Sequence, residues 1–292
     1  MFTQILKLIR IPQWIKNLFV FVPLVFSLNL FNGEYFLKVL LGFFAFCLTS
    51  GIVYIINDIM DAEADRAHPR KRNRPVASGS ITVRQALVTA FIFAIGAVIL
   101  CLYTNTLFSL LLLLYFLINI LYSIKLKHIV LLDIFSIAAG FLIRVLAGAF
   151  IISVAVSSWL ILTTMFISLF LAVMKRHSEL AVLPDDVTTD TRKVLAFYSL
   201  NFADQMATVA AAGVIICYAL YTVAERTISI FKTENLIYTT PFVVFGIFRY
   251  MFLVYMNKQG ENTTRILLSD LQMIVTVILY IAVTMLIIYG PF

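Results

Sequence analysis

Long apolar runs restrict the fold of this chain more than any other feature. A helix needs roughly 20 apolar residues to cross the hydrocarbon core of a bilayer. Nine runs qualify, at about 17–32, 36–57, 82–103, 106–123, 129–152, 157–174, 203–223, 238–256 and 270–290. They are continuously apolar, without the in/out alternation of barrel strands, and so predict helices. We therefore expect an all-α integral membrane protein with nine transmembrane helices.

The composition supports a bilayer rather than water as the solvent. Of the 292 residues, 62% are hydrophobic and 13% are charged, whereas a soluble domain carries about 25% charged residues. No long polar linker interrupts the chain, which predicts a single membrane domain over residues 1–292. The amphipathic stretch 1–16 predicts an interfacial helix leading into the first span, because the apolar run after it lacks a signal-peptide cleavage site.

The basic residues are distributed unevenly between the two sides of a nine-span arrangement. Most of the 22 Lys and Arg residues precede the first run or fall in the loops after even-numbered runs. The positive-inside rule then predicts a multi-pass protein of the cell membrane with a cytoplasmic N-terminus and an outer C-terminus. This distribution explains the net charge of +7 without nucleic acid. The polar clusters lie in the inner loops, so we expect the active site at the cytoplasmic face.

A stripe of carboxylates begins where the second run ends, in a predicted cytoplasmic loop over residues 57–81. Asn57, Asp61 and Asp65 are four residues apart, and Asp58 comes three before Asp61, so a helix places them on one face. Such a stripe is costly beside a membrane unless cations neutralise it. Mg²⁺ typically takes one or two carboxylates plus substrate phosphates. We therefore predict Asp58, Asp61 and Asp65 as metal-binding and catalytic residues, with Asn57 in support.

Basic side chains follow the carboxylates closely. Arg66, Lys71 and Arg74 are predicted to bind the phosphates of a substrate, because Arg pairs with phosphate in bidentate fashion. The alternative is a solvated charge run with internal salt bridges. The helical spacing of the carboxylates, which begins inside an apolar span, favours a binding site.

These residues carry a resemblance to a known family. The pattern Asn57-Asp58-x-x-Asp61-x-x-x-Asp65, followed by Arg74-Pro75 and Gly79, is similar to the first signature of the UbiA superfamily of intramembrane prenyltransferases. The resemblance implies nine transmembrane helices around a central cavity and Mg²⁺ as the cofactor that binds a diphosphate.

A narrower resemblance is to the decaprenyl-phosphate phosphoribosyltransferase branch. It rests on four segments: Pro12-Gln13-Trp14-Ile15-Lys16-Asn17, Tyr122-Ser123-x-x-Leu126-Lys127, Gly140-Phe141-x-x-Arg144-x-x-Ala147-Gly148 and Lys175-Arg176-x-x-Glu179-Leu180. The branch implies transfer of 5-phosphoribose from phosphoribosyl diphosphate to a polyprenyl phosphate, a step of cell wall biosynthesis. The oligomeric state stays open, a homo-oligomer included.

The loop after the sixth run favours this branch over the wider family. Typical prenyltransferases carry a second acidic motif there, whereas this chain has Lys175 and Arg176, and Asp185, Asp186 and Asp190 lie further on without that spacing. One acidic cluster suits one magnesium diphosphate, and a separate basic cluster suits a second, metal-free phosphate. Two alternatives remain: an aromatic prenyltransferase that uses a prenyl diphosphate, and a lipid or solute transporter.

Further polar residues are candidates for substrate binding. Asp133 and Arg144 are eleven residues apart in the fifth run, close to three helical turns, and an intramembrane ionisable residue suggests function. The alternative for this pair is a structural ion pair with a neighbouring helix. The remaining candidates are Lys16, Asn17, Tyr122, Lys127, Lys175 and Arg176. Lys127 could instead be an interfacial side chain that snorkels, and Lys16 a residue that sets topology.

Overall fold

The computed structural model describes residues 2–67, 71–181, 193–256, 266 and 269–290. Throughout these ranges the regular structure is helical and no strand occurs. The predicted all-α membrane fold class is therefore confirmed.

The helices follow one another with short connections. In chain order they are α1 (Phe2–Leu8), α2 (Val22–Phe26), α3 (Gly33–Met60), α4 (Ala62–Ala67), α5 (Val83–Leu102), α6 (Thr106–Ile124), α7 (Leu132–Ile151), α8 (Ser158–Ala181), α9 (Leu200–Val223), α10 (Glu225–Phe231), α11 (Thr240–Tyr255) and α12 (Leu271–Tyr289). Short 3₁₀ segments occur at Ile11–Phe21, Lys71–Asn73, Leu126–His128, Lys193–Phe197 and Asn235–Thr239.

Within the described ranges, eight helical segments are long and apolar enough to cross a membrane. They coincide with the second to ninth predicted runs. The first predicted run, 17–32, needs correction, because its helical stretch is Ile11–Phe26 and is shorter. Asn32 ends this run, since its side chain accepts hydrogen bonds from the backbone N–H groups of Glu34 and Tyr35 and thereby caps α3. The predicted count of nine helices is therefore approximate.

Side-chain caps fix where several helices begin. Thr82 and Gln85 form a reciprocal capping box at the start of α5. Asn105 caps α6, Ser199 caps α9 and Asp270 caps α12. Polar residues between apolar runs thus set the helix boundaries locally.

One compact unit comprises Met1–Val25, Asn29–Leu126 and Ile143–Val154. Its central element is α3, which packs along α5, α6 and the 3₁₀ segment Ile11–Phe21. Edge-to-face contact between Phe46 and Phe108, 5.8 Å apart, lies in one of its apolar clusters. A second cluster, which includes Leu8 and Ile55, holds α1 beside the end of α3.

Glycine is required at one close approach inside this unit. A Cβ built on Gly148 of α7 would lie 2.0 Å from the carbonyl oxygen of Val20. The two backbones can approach this closely only because residue 148 has no side chain.

The other compact unit comprises Phe26–Leu28, Lys127–Leu142 and Ala155–Phe292. Helices α8 and α9 pair along their lengths in it, and its core includes the edge-to-face pair Phe170 and Tyr250. Arg249 on α11 donates hydrogen bonds of 3.1 and 2.7 Å to the carboxylate of Asp270. Helix α7 contributes its first half to this unit and its second half to the other.

Candidate active site

The predicted helical spacing of the carboxylates is present in the backbone. Helix α3 ends at Met60, and the N–H of Asp61 still donates to the carbonyl of Asn57 at 2.9 Å. The N–H of Asp65, in α4, donates in turn to the carbonyl of Asp61 at 2.8 Å. The four-residue repeat therefore continues from α3 into α4 across Asp61.

Arg74 joins two of these carboxylates. Its Nη1 donates a hydrogen bond of 2.6 Å to Asp65 and lies 3.6 Å from Oδ1 of Asp58. A tight turn positions Arg74, because the N–H of Ser78 donates to its carbonyl and Gly79 adopts a positive φ of 73°. Val76 and other apolar residues of this turn are buried. The turn thus holds a guanidinium group over the carboxylate stripe.

Arg10 is a residue of this site that sequence reasoning missed. Its Nη2 lies 2.5 Å from Oδ1 of Asp58, and its guanidinium carbon lies 4.8 Å from the centre of the Tyr54 ring. The sequence indicates the position of Tyr54, which lies four residues before Asp58 and therefore on the same helix face. Nothing in the sequence, however, places Arg10 opposite a carboxylate 48 residues away.

Asp58 is the most enclosed member of the cluster. Its side chain is only 1% exposed, and its Oδ2 atom has no hydrogen-bond partner among the described residues. In the described part of the chain, no group of three His, Cys, Asp or Glu side chains could hold a metal ion. Arg74 contacts both Asp58 and Asp65 instead. The two carboxylates nevertheless fit Mg²⁺, which needs only one or two beside substrate phosphates.

The other residues predicted around this site lie close to it along the chain. Asn57 and Asp61 are half-buried. Arg66 is exposed and its Nε donates to the carbonyl of Ala77 at 3.2 Å. Lys71 is half-buried in the segment Lys71–Asn73.

A second polar cluster in the same unit surrounds Arg144. Its Nε donates to Oδ1 of Asn17, and its Nη2 donates to the hydroxyl of Tyr115, both at 2.7 Å. The guanidinium carbon also lies 4.5 Å from the centre of the Tyr115 ring. All three side chains are buried. Asn17, predicted to bind substrate, is therefore in contact with Arg144, and Tyr115 was missed because a lone Tyr in an apolar run carries no signal.

Lys16 belongs to the same unit as these two clusters. It directly precedes Asn17, whose side chain contacts Arg144. Arg10, Lys16 and Arg144 thus all belong to the unit that also carries Asp58, and a concentration of cations attracts anions. Tyr122, also predicted, is half-buried near the end of α6.

The remaining predicted residues belong to the other unit. Nε of Arg176 lies 3.0 Å from Oδ2 of Asp133, and neither side chain is more than 1% exposed. Arg176 also pairs with Glu179, one turn along α8. The structure thus contains an ion pair between Asp133 and a neighbouring helix, the arrangement given as the alternative. The substrate-binding roles of Asp133 and Arg176 stay predictions.

Tyr198 completes this ion pair. Its hydroxyl donates to Oδ1 of Asp133 at 2.8 Å and accepts the N–H of Leu131 at 2.7 Å. Leu131 has a positive φ of 67°, so Tyr198 stabilises a strained residue just before α7. Burial raises the pKa of Tyr198 to about 12, and the phenol therefore stays protonated and able to donate at neutral pH.

The two predicted lysines of this unit are less enclosed. Lys127 is half-buried in the segment Leu126–His128, and Lys175 is half-buried on α8. Asp185, Asp186 and Asp190 lie outside the described residues.

Comparisons with known proteins agree with this architecture. The model of the UbiA prenyltransferase family matches residues 18–269. The chain is 34% identical over 221 residues to decaprenyl-phosphate phosphoribosyltransferase of Mycolicibacterium smegmatis, covering 74% of this chain and 69% of the relative. It is 31% identical over 223 residues to the enzyme of that name from Mycobacterium tuberculosis, covering 74% and 73%.

Solved structures share the fold. A UbiA homolog from Archaeoglobus fulgidus, bound to GPP and Mg²⁺, aligns with a TM-score of 0.74 over 98% of this chain and 99% of that one, at 19% sequence identity. At this level of identity the likeness concerns the fold alone.

Proposed function

The chain belongs to the UbiA prenyltransferase family and is a membrane-embedded transferase, and from this premise we propose that it transfers 5-phosphoribose from phosphoribosyl diphosphate to a polyprenyl phosphate. Diphosphate would be released at the cytoplasmic face of the cell membrane. The names of relatives at 31% and 34% identity support the choice of substrates.

One observation in the structure carries the proposal. A single unit contains both a carboxylate cluster lined by Arg10 and Arg74 and the further cations Lys16 and Arg144. Carboxylates suit a metal-bound diphosphate. The cations beside them suit a second anion that needs no metal. A reaction between two phosphorylated substrates requires both kinds of site.

Mg²⁺ fits the donor side of this site. Asp58 and Asp65 would hold it, with Asp61 as a third candidate and Asn57 in support. When bound, Mg²⁺ supplies positive charge that stabilises the departing diphosphate. Arg66, Lys71 and Arg74 would bind the remaining phosphate oxygens as a soluble donor arrives.

The acceptor is a lipid phosphate, for which we propose Lys16 and Arg144. An oxygen of this phosphate attacks the anomeric carbon of the ribose, and the bond from that carbon to the diphosphate breaks. The donor and the acceptor are both anions and repel each other. The chain's cations offset this repulsion and hold the two substrates in position for the reaction. No general base is needed, because the attacking phosphate is already ionised near neutral pH.

Purified protein in nanodiscs tests the proposal. It is incubated with radiolabelled phosphoribosyl diphosphate, Mg²⁺ and polyprenyl phosphate, and the label is followed into the lipid phase. We expect labelled lipid that requires both Mg²⁺ and the lipid phosphate and that disappears with EDTA. Absence of labelled lipid in a sample that binds both substrates would refute the proposal.

A further inference from the structure

Arg10 contacts Asp58, the most enclosed carboxylate of the candidate active site. We propose that Arg10 is an exchangeable counter-ion of Asp58, a positioning residue that neutralises Asp58 before the donor binds. It would then move to the donor's diphosphate as the metal ion replaces it on Asp58. This inference rests on the metal–diphosphate part of the proposed function.

The backbone places Arg10 for this role. Helix α1 stops at Leu8, and Arg10 adopts a left-handed conformation with φ 51°. Its N–H donates to the carbonyl of Lys7, and its own carbonyl accepts the N–H of Gln13. Leu8 is fully buried. A turn anchored by packing on one side and hydrogen bonds on the other therefore directs the Arg10 side chain at Asp58.

Exposure differs sharply between the two partners. Asp58 is 1% exposed, whereas Arg10 is 28% exposed and Arg74 is 26% exposed. A soluble anion can thus reach the guanidinium groups while the carboxylate stays covered. A buried carboxylate that loses its counter-ion is strongly destabilised, so Arg10 can leave only when another cation arrives.

Arg10 is better suited to move than Arg74. Arg74 holds Asp65 at 2.6 Å and is 3.6 Å from Asp58, beyond hydrogen-bond distance. If Arg74 moved, two carboxylates would lose charge compensation. Arg10 contacts Asp58 and the neutral ring of Tyr54. The Tyr54 ring attracts the guanidinium of Arg10 but carries no negative charge that a phosphate would have to displace.

Metal and diphosphate should therefore bind cooperatively. A metal ion alone must displace Arg10 and leave that cation without a counter-charge. Diphosphate alone must draw Arg10 away and leave Asp58 without its nearest cation. When both bind, the metal ion pairs with Asp58 and Arg10 pairs with the diphosphate, so no charge is left unpaired. By linkage, each should raise the affinity for the other.

Substitution of Arg10 separates the two affinities. The probes are Mn²⁺, followed by its paramagnetic resonance spectrum, and inorganic diphosphate, with purified full-length protein. We expect Arg10→Ala to bind Mn²⁺ alone about tenfold more tightly and diphosphate in the presence of Mn²⁺ about tenfold more weakly. Arg10→Lys, which keeps the charge, should stay near the parent protein for Mn²⁺ alone. The control is Lys7→Ala, an exposed cation on α1, which should change neither affinity.

Opposite shifts in the two affinities are specific to counter-ion exchange, because misfolding would weaken both. If Arg10→Ala left both affinities unchanged or lowered both, the inference would be wrong. The inference would also be wrong if the parent protein bound no Mn²⁺ in the presence of diphosphate. If Arg10→Ala showed the opposite shifts but the parent protein transferred no phosphoribose, only the proposed function would be refuted. If the parent protein transferred phosphoribose but Arg10→Ala did not show the opposite shifts in affinity, only the role of Arg10 would be refuted.

Discussion

Nε of Arg176 lies 3.0 Å from the carboxylate of Asp133, and both side chains are closed off from solvent. The sequence assigned each of them to substrate binding. In the structure they neutralise each other across α7 and α8, with Glu179 as a second acidic partner of Arg176. Removal of Asp133 leaves the buried guanidinium of Arg176 with only the more exposed Glu179 as counter-charge, and breaking a buried pair in this way is strongly destabilising.

Asp133→Ala is therefore expected to destabilise the protein by about 3–5 kcal/mol. Thermal unfolding in a single detergent measures the change. Glu179→Ala is the matched control, because Glu179 contacts the same guanidinium but is 23% exposed, and its loss should cost about 1 kcal/mol or less. Equal effects of the two substitutions would contradict a buried pair between Asp133 and Arg176.

Tyr198→Phe removes one hydroxyl that makes two hydrogen bonds. The N–H of Leu131 and an oxygen of Asp133 each lose a partner, for which we expect a loss of about 1–3 kcal/mol. The pKa of Tyr198 is raised to about 12, above about 10 in an unfolded chain. The stability it adds is therefore fully present below about pH 10 and declines as the pH rises toward 12. Unfolding of both proteins at several pH values tests this; a difference that changed between about pH 6 and 9 would count against it.

Gly148→Ala should disrupt the crossing of α7 with the 3₁₀ segment that contains Val20. The new Cβ would meet a backbone oxygen at 2.0 Å, and we expect a loss of about 2 kcal/mol or more. Gly246→Ala is the matched control in α11, because a Cβ there has no neighbour within 4 Å. It should raise stability by about 0.5–1 kcal/mol. We expect a melting temperature below the parent value for Gly148→Ala and above it for Gly246→Ala. A Gly148→Ala protein as stable as the parent would contradict the close approach.

Asp58→Asn and Asp65→Asn should each lower the transfer rate by about a hundredfold or more, since each removes a candidate ligand of the metal. Single-turnover rates at saturating Mg²⁺ provide the measurement. Glu63→Gln is the control, because Glu63 is an exposed acid on the same short helix α4 and its loss should leave the rate close to the parent value. Full activity in Asp58→Asn would remove Asp58 from the reaction.

Much of the fold could be predicted because lipid imposes a simple rule on the sequence. Eight of the nine apolar runs coincide with helices long enough to cross a membrane. The first run deviates for a local reason: Ile11–Phe21 is a 3₁₀ helix, which rises about 2.0 Å per residue against 1.5 Å in an α-helix. Asn32 then caps α3. Apolar periodicity detects neither feature.

Contacts within the candidate site could be predicted only between residues that are close in sequence. Asn57, Asp61 and Asp65 share one helical repeat, so their spacing could be read directly. The contact of Arg10 with Asp58 spans 48 positions and that of Arg144 with Asn17 spans 127. Such pairs depend on tertiary packing, for which single residues carry no signal. Arg176 illustrates the limit, because its basic character was visible but its partner Asp133 was not.

The choice of donor is tested most directly by competition in one vessel. The protein in nanodiscs receives equal concentrations of phosphoribosyl diphosphate and a prenyl diphosphate, with Mg²⁺, polyprenyl phosphate and an aromatic acceptor, and the products are identified by mass spectrometry. We predict a polyprenyl phosphate that has gained the mass of phosphoribose, and an unmodified aromatic acceptor. A prenylated aromatic acceptor beside unmodified polyprenyl phosphate would contradict the phosphoribosyl assignment.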